Sequence, residues 1–221
     1  ATFARIPIGH ISGGETTVGT FDEAIRHSIT KMAWWHFTAA EEYRKRVIQL
    51  GEHPNRVFIT GGLGVDYIVK SRLLSKETLS KVIQFELGPR NFMVTFHPVT
   101  LEKKSSGQQF QSLLEVLDLL DNTHFIFTAP NADTEGRVIQ MMIDDFVAQN
   151  KNRAKSFTSL GNLNYLSALQ FVDAVVGNSS SGLGEAPSLK IGTINIGDRQ
   201  LGRLKAESII DCNPDAKSIT Q

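Results

Sequence analysis

DAVVGNSSSGLGEAPSLKIGTINIG, residues 173–197, reads as a strand, a turn, a short helix and a second strand. DAVVG at 173–177 carries the β-branched run of a buried strand and ends on glycine, and TINIG at 193–197 restores that pattern after the helix. Strands that alternate with helices point to an open parallel α/β sheet with helices on both faces. The same rhythm runs outward on the N-terminal side. FMVTF (92–96) and HFIFTA (124–129) read as strands. Phe110, Leu113, Leu114, Leu117 and Leu120 mark one helix face, and Val138, Met142 and Phe146 mark another.

Further upstream, IPIGHI (6–11), WWHFT (34–38) and RVFITG (56–61) are strand-like. Between them Phe21, Ala24, Ile25, Ser28, Ile29 and Met32 recur at helical spacing, with Thr20 as N-cap. A charged helix follows from Glu41 to Leu50, with Glu41/Lys45 and Glu42/Arg46 pairs and Gly51 as its stop. GGLGVD (61–66) breaks the rhythm, and the stretch to Pro89 is less patterned. The expected organisation is therefore a first α/β unit over 1–66, a linker or hinge over 67–90, and a second unit over 91–221. The first unit has room for about three strands, whereas such sheets usually carry about five or six. The expectation is that an N-terminal portion is missing and that the first domain is incomplete.

Lysine plus arginine equals aspartate plus glutamate, 23 against 23, so no global field attracts nucleic acid or an anionic membrane. No apolar run approaches the roughly 18 residues that span a bilayer, and ATFARIPIGH lacks the pattern of a secretory signal. Cys212 is the single cysteine, so no internal disulfide forms. A cytoplasmic globular protein is expected.

Three segments place reactive groups where open α/β sheets bind ligands, at the carboxyl ends of strands. VVGNSSSG (175–182) follows a strand with hydroxyl residues that open a helix, so unpaired backbone N–H groups and the Ser179 and Ser180 hydroxyls face an anion such as a diphosphate. Glu185 lies one to two turns further on, within reach of ribose hydroxyls; the plain alternative is an N-capped helix. His97 directly follows FMVTF and is stopped there by Pro98. It suits donation to a phosphate or proton transfer, or is a surface turn histidine. In HISGGETTVGTFDEAIRH (10–27), Asp22 and Arg26 share a helix face, as do Glu23 and His27; a salt-bridged exposed helix is the alternative. Arg199, Arg203 and Lys205 gather in a basic loop that either completes an anion site or is solvated. GGLG (61–64) alone is too weak for a dinucleotide fingerprint, and no CxxC, HExxH or Walker-type pattern occurs.

Together these segments resemble the hydrolysing UDP-N-acetylglucosamine 2-epimerases of the sialic-acid type. The resemblance rests on HISGGETTVGTFDEAIRHSITKMAWWHFTAAEEYRKRVIQLGEHPNRVFITGGLGVD, VTFHPVT, TAPNAD, VVGNSSSGLGE and INIGDRQLGR, in family order along nearly the whole chain. It implies two Rossmann-like doubly wound domains facing across a cleft, glycosyltransferase-B-like. It implies that His97, Ser179, Ser180, Glu185 and Arg199 hold UDP, with Asn131 in the wall near the nucleotide. Asp22, Arg26 and His36 would line the sugar side, and Asp22, Glu15 and His97 would form the catalytic set. Many relatives carry a glutamate where this chain has Ser12. That departure points toward a different sugar, such as a 2,4-diacetamido-trideoxy hexose. The implied chemistry is anti elimination of UDP to a glycal, then hydration, with a UDP-sugar as substrate, no cofactor, no metal, no nucleic-acid or membrane partner, and a homodimer or higher oligomer. A UDP-sugar glycosyltransferase and a non-catalytic nucleotide-sugar-binding fragment are the competing readings.

Overall fold

The computed structural model describes residues 1–17, 22–99, 106–131 and 135–221. Thr20 and Phe21, expected to start the first helix, lie outside them, as does Thr100. Among the described residues the strands form two wholly parallel sheets.

The first sheet has the order β1 (Gly9–Ile11), β2 (Trp35–Thr38), β3 (Val57–Ile59), with α1 (Asp22–Met32) and α2 (Glu41–Gln49) as its crossovers. Several of its large apolar side chains face outward, among them Ile11, Trp35, Phe58 and Ile59. Next come α3 (Leu63–Lys70) and α4 (Lys76–Ile83). The stretch read as a linker is thus largely helical. Leu79, Ile83 and Phe85 are buried in the same cluster as Met93 and Ile126, so α4 is packed into the second lobe. Ser75 caps α4 by accepting the Thr78 N–H, a local signal that the coarse periodicity hid.

The second sheet holds β4 (Arg90–Thr95), β5 (Thr123–Thr128), β6 (Ala154–Phe157), β7 (Ala174–Gly177), β8 (Gly192–Ile196) and β9 (Ile209–Cys212) in the order β6-β5-β4-β7-β8-β9. Strand alternation sorts its side chains to two faces. Phe125 and Phe127 point to the side of α5 (Ser106–Asp118) and α6 (Gly136–Gln149), where Phe110, Leu113, Ile139, Ile143 and Phe146 are buried. Ile126 and Met93 point to the other side, against α4, α7 (Gly161–Leu169) and α8 (Ser181–Ser188). The chain ends in α9 (Ala216–Thr220), whose Ile219 joins the first of these clusters.

The α6 stripe differs from expectation. Ile139, Ile143 and Phe146 carry the contact, whereas Val138 is 49% exposed. Spacings of four and three keep those three residues on one side of the helix, and Val138 falls off it.

The topology fixes where a ligand sits. Sequential strands run one way from β4 to β6 and the other way from β7 to β9, so the order reverses between β4 and β7. Open α/β sheets bind at such a reversal, outside the carboxyl ends of the strands. Thr95 pairs with Gly177 there, which sets His97 beside Asn178 and Ser179. Gly177 has φ +134°, and a Cβ on it would lie 1.9 Å from the Thr95 carbonyl oxygen. Gly177→Ala should therefore destabilise the fold by about 2–4 kcal/mol, from strained backbone plus overpacking. An unchanged urea midpoint in that variant would show that the two strand ends are not this close.

Candidate functional site

His97 is fastened at the reversal by both its backbone groups. Its N–H donates to Asn178 Oδ1 (2.7 Å), and its carbonyl accepts from Asn178 Nδ2 (2.8 Å). The ring is fixed as well, because Nδ1 accepts the Asn131 backbone N–H at 3.0 Å. A nitrogen that accepts carries no proton, so the neutral ring keeps its hydrogen on Nε2. Burial, helped by the nearby Arg199 guanidinium, pushes the His97 pKa down to about 4. At neutral pH His97 thus offers an Nε2–H donor and no positive charge. Asn131, expected in this wall, serves through its backbone, and its side chain is exposed.

Beside His97 the β7–α8 turn offers hydroxyls. Ser179 is half-buried and its Oγ accepts the Ser181 N–H (3.4 Å), whereas Ser180 sits exposed at the N-cap with no side-chain capping bond. The Tyr165 hydroxyl donates to Ser181 Oγ (2.8 Å), and burial pushes its pKa up to about 12, so it stays a donor. A hollow of about 210 Å³ opens here between Thr95, Thr128, Tyr165, Ser179 and Ser181. A second hollow, of about 310 Å³, lies between Leu63, Tyr67, Tyr165 and Glu185. Tyr165 and Asn162 line both, so the two hollows adjoin and together make the groove between the serines and Glu185. The sequence reading missed Asn162, Tyr165 and Asn178. Asn178 stood inside the VVGNSSSG motif; the other two lie on α7, whose uneven apolar pattern gave no warning.

The basic loop after β8 turns inward. Arg199 Nη1 and Gln200 Nε2 both donate to the Asn178 carbonyl (3.2 and 2.8 Å). Lys205 pairs with Asp211 (2.7 Å), and Arg203 pairs with Glu15 (3.1 Å). Arg203 and Lys205 are thus matched to carboxylates.

On the first lobe, Asp22 opens α1 and is exposed. Arg26 turns to Glu23 (3.5 Å) and to the loop before the helix, donating to the Glu15 carbonyl (3.2 Å) and the Thr17 hydroxyl (2.9 Å). The expected Glu23–His27 contact is present at 3.1 Å. Ser12 has φ +63° and its N–H donates to the Phe37 carbonyl (2.8 Å). Two residues expected at the site have partners away from the groove. Glu15, expected to be catalytic, is engaged by Arg203 from the other lobe. His36, expected to line the cleft, is 0% exposed. Its Nε2 lies 3.2 Å from Glu52, which also binds Lys31 at 2.6 Å. The alternation of β2 sends His36 inward beside His10, its partner in register, and burial lowers the pKa of both rings.

A family model described as UDP-N-acetylglucosamine 2-epimerase matches residues 1–221. The chain belongs to that family. A "GDP/UDP-N,N'-diacetylbacillosamine 2-epimerase (hydrolyzing)" of Campylobacter jejuni is 43% identical over 207 residues, covering 94% of this chain and 54% of the relative. "Polysialic acid biosynthesis protein P7" of Escherichia coli is 44% identical over 222 residues, covering 100% of this chain and 56% of the relative. The chain spans about half the length of these curated relatives. Among solved structures, the UDP-GlcNAc 2-epimerase of Neisseria meningitidis bound to UDP-GlcNAc superposes with TM-score 0.78 at 16% identity, over 100% of this chain and 61% of that one. The Methanocaldococcus jannaschii enzyme in complex with UDP-GlcNAc and UDP gives 0.78 at 17%, over 100% and 62%. At that identity the likeness establishes the fold, the two-domain Rossmann-like architecture of these epimerases.

Proposed function

We propose that this chain contributes the UDP site, and part of the sugar site, of a hydrolysing UDP-N-acetylglucosamine 2-epimerase that forms N-acetylmannosamine and UDP. The supporting observation is the neutral His97 with its proton on Nε2, set beside Ser179 and Ser180 at the strand-order reversal. Those groups are donors suited to a departing diphosphate. In the reaction a base removes the C2 proton, the C1–O bond breaks, and its electron pair departs with UDP. Water then adds across the glycal, with hydroxyl at C1 and hydrogen at C2 on the opposite face. The C2 proton is weakly acidic, so stabilising the departing diphosphate supplies most of the catalysis. Asp22 is the proposed base or later acid, Arg26 supports the sugar side, and Arg199 braces the diphosphate loop.

A second reading concerns the sugar. Relatives from Campylobacter jejuni (43% identical) and Legionella pneumophila (32%) are named as diacetylbacillosamine 2-epimerases. The same chemistry on UDP-2,4-diacetamido-2,4,6-trideoxyhexose fits these facts. UDP release from each sugar nucleotide, measured with no acceptor present, is the test. Release from one alone assigns the sugar. Release that requires an acceptor sugar makes the protein a transferase, and binding with no release from either makes it a binder.

Glu185, half-buried in the groove on α8, is proposed to hold the ribose hydroxyls. Glu185→Ala should weaken UDP binding by about 1.5–3 kcal/mol, the worth of charge-assisted hydrogen bonds. Calorimetry giving the same affinity in both proteins would remove Glu185 from the site.

A further inference from the structure

Residues 14–17, in the loop after β1, are gripped from two lobes. From their own lobe, Arg46 donates to the Gly14 carbonyl and Arg26 to the Glu15 carbonyl and the Thr17 hydroxyl. The Thr17 N–H donates to Glu23 (2.5 Å). From the other lobe comes one short segment after β8. Arg203 Nη2 lies 3.1 Å from Glu15 Oε2, the Thr16 hydroxyl donates to the Gly202 carbonyl (2.5 Å), and the Leu204 N–H donates to the Tyr43 hydroxyl (3.1 Å). Gly14 itself has φ +81° and lies against the Tyr43 carbonyl, where a Cβ would approach to 2.2 Å.

The other end of that segment is tied to the diphosphate site. Arg199 and Gln200 hold the Asn178 carbonyl, and the buried Asn178 carboxamide holds His97 by both backbone groups. Residues 199–204 therefore run from the backbone beside His97 to the loop that carries Glu15. The Glu15 and Arg203 side chains are only 17% and 21% exposed, so their attraction is weakly screened. Either charge left alone at that depth is costly, which ties formation of the pair to seating of the two loops together. Residues 14–17 belong to neither helix nor strand, so their position depends on what grips them.

We infer that the Glu15–Arg203 pair is a positioning device, which seats residues 14–17, and through them Arg26 and the start of α1, when a nucleoside diphosphate occupies the site beside His97. The inference rests on the proposed function for the identity of that ligand. It makes Glu15 and Arg203 positioning residues and leaves the acid/base chemistry to other groups.

The test uses the 221-residue chain with UDP as probe, reading affinity by calorimetry and amide hydrogen exchange by mass spectrometry. UDP should slow exchange over residues 14–17 on the order of tenfold in the unaltered protein. Arg203→Ala should still bind UDP yet lose that slowing. Lys205→Ala, which removes the cation just beyond that segment, paired with Asp211 of its own lobe, should retain it. The charge-swapped protein with Glu15→Arg and Arg203→Glu should regain it, which would tie the slowing to the pairing of these two charges. Absence of UDP binding in the unaltered protein would overturn the proposed function together with this coupling. UDP binding without slowing, slowing that survives Arg203→Ala, or loss in Lys205→Ala as well, would overturn the coupling alone.

Discussion

Asp22→Asn is expected to lower C2 proton exchange by roughly 10²–10⁴-fold, the usual loss when a positioned acid or base is removed. UDP binding should be largely spared. The separation follows from placement. The proposed diphosphate donors gather around His97 and the β7–α8 turn of the second lobe, whereas Asp22 opens α1 of the first. Its side chain is exposed, and its neighbours Glu23 and Arg26 are already engaged with the 15–17 loop. Of the carboxylates in this stretch, Glu15 is committed to Arg203 and Glu23 to Thr17, Arg26 and His27. Asp22 is the carboxylate proposed as the base. The measurement is deuterium incorporation at C2 from solvent, alongside calorimetry with UDP. Exchange persisting at the unaltered rate would take Asp22 out of the mechanism, and loss of UDP affinity would show that it acts on the nucleotide instead.

The strands at the centre of the second sheet were legible in the sequence because both their faces are buried. FMVTF, HFIFTA and DAVVG are apolar runs for that reason, and they fall on β4, β5 and β7. The outermost strands, β6 and β9, were missed. AKSF and IIDC are four residues each, half covered at the sheet margins, and mix polar with apolar side chains. His97, Ser179 and Ser180 were visible as candidates because they stand immediately after strands that could be read. Contacts between distant segments were not visible. Nothing in the spacing of GGET and RQLGR announces that Glu15 meets Arg203, since ion pairing between loops depends on how two lobes dock. The placement of His36 was hidden for a related reason. A histidine in a strand faces either the cleft or the core according to pleat, and only the register with His10 and the contact with Glu52 decide it.

His97→Asn should reduce the rate of UDP release about 10²–10³-fold, the typical cost of removing one preorganised donor to developing negative charge. Asparagine still offers an acceptor to the Asn131 N–H but is too short to replace Nε2–H, so it deletes the donor selectively. His97→Gln, whose amide reaches further, should recover part of the loss. The pH behaviour separates this role from that of a titrating base. With its pKa pushed down to about 4, His97 stays neutral through the range where an ordinary histidine protonates, so release should show no inflection near pH 6.5 from this group. The same shift carries a stability consequence of definite sign. The unfolded chain takes up a proton near pH 6.5 and the folded chain not until about pH 4, so the stabilising contribution is complete above 6.5 and is lost as pH falls toward 4. Between pH 7 and 5 the loss from His97 is about 2 kcal/mol. Buried His10 and His36 have lowered pKa values too and act in the same direction. Urea unfolding at pH 7 and pH 5 should therefore show a marked drop in midpoint that is smaller in His97→Gln. An equal drop in both proteins would mean that His97 is not held neutral by burial, and the donor role built on its Nε2–H would fall with it.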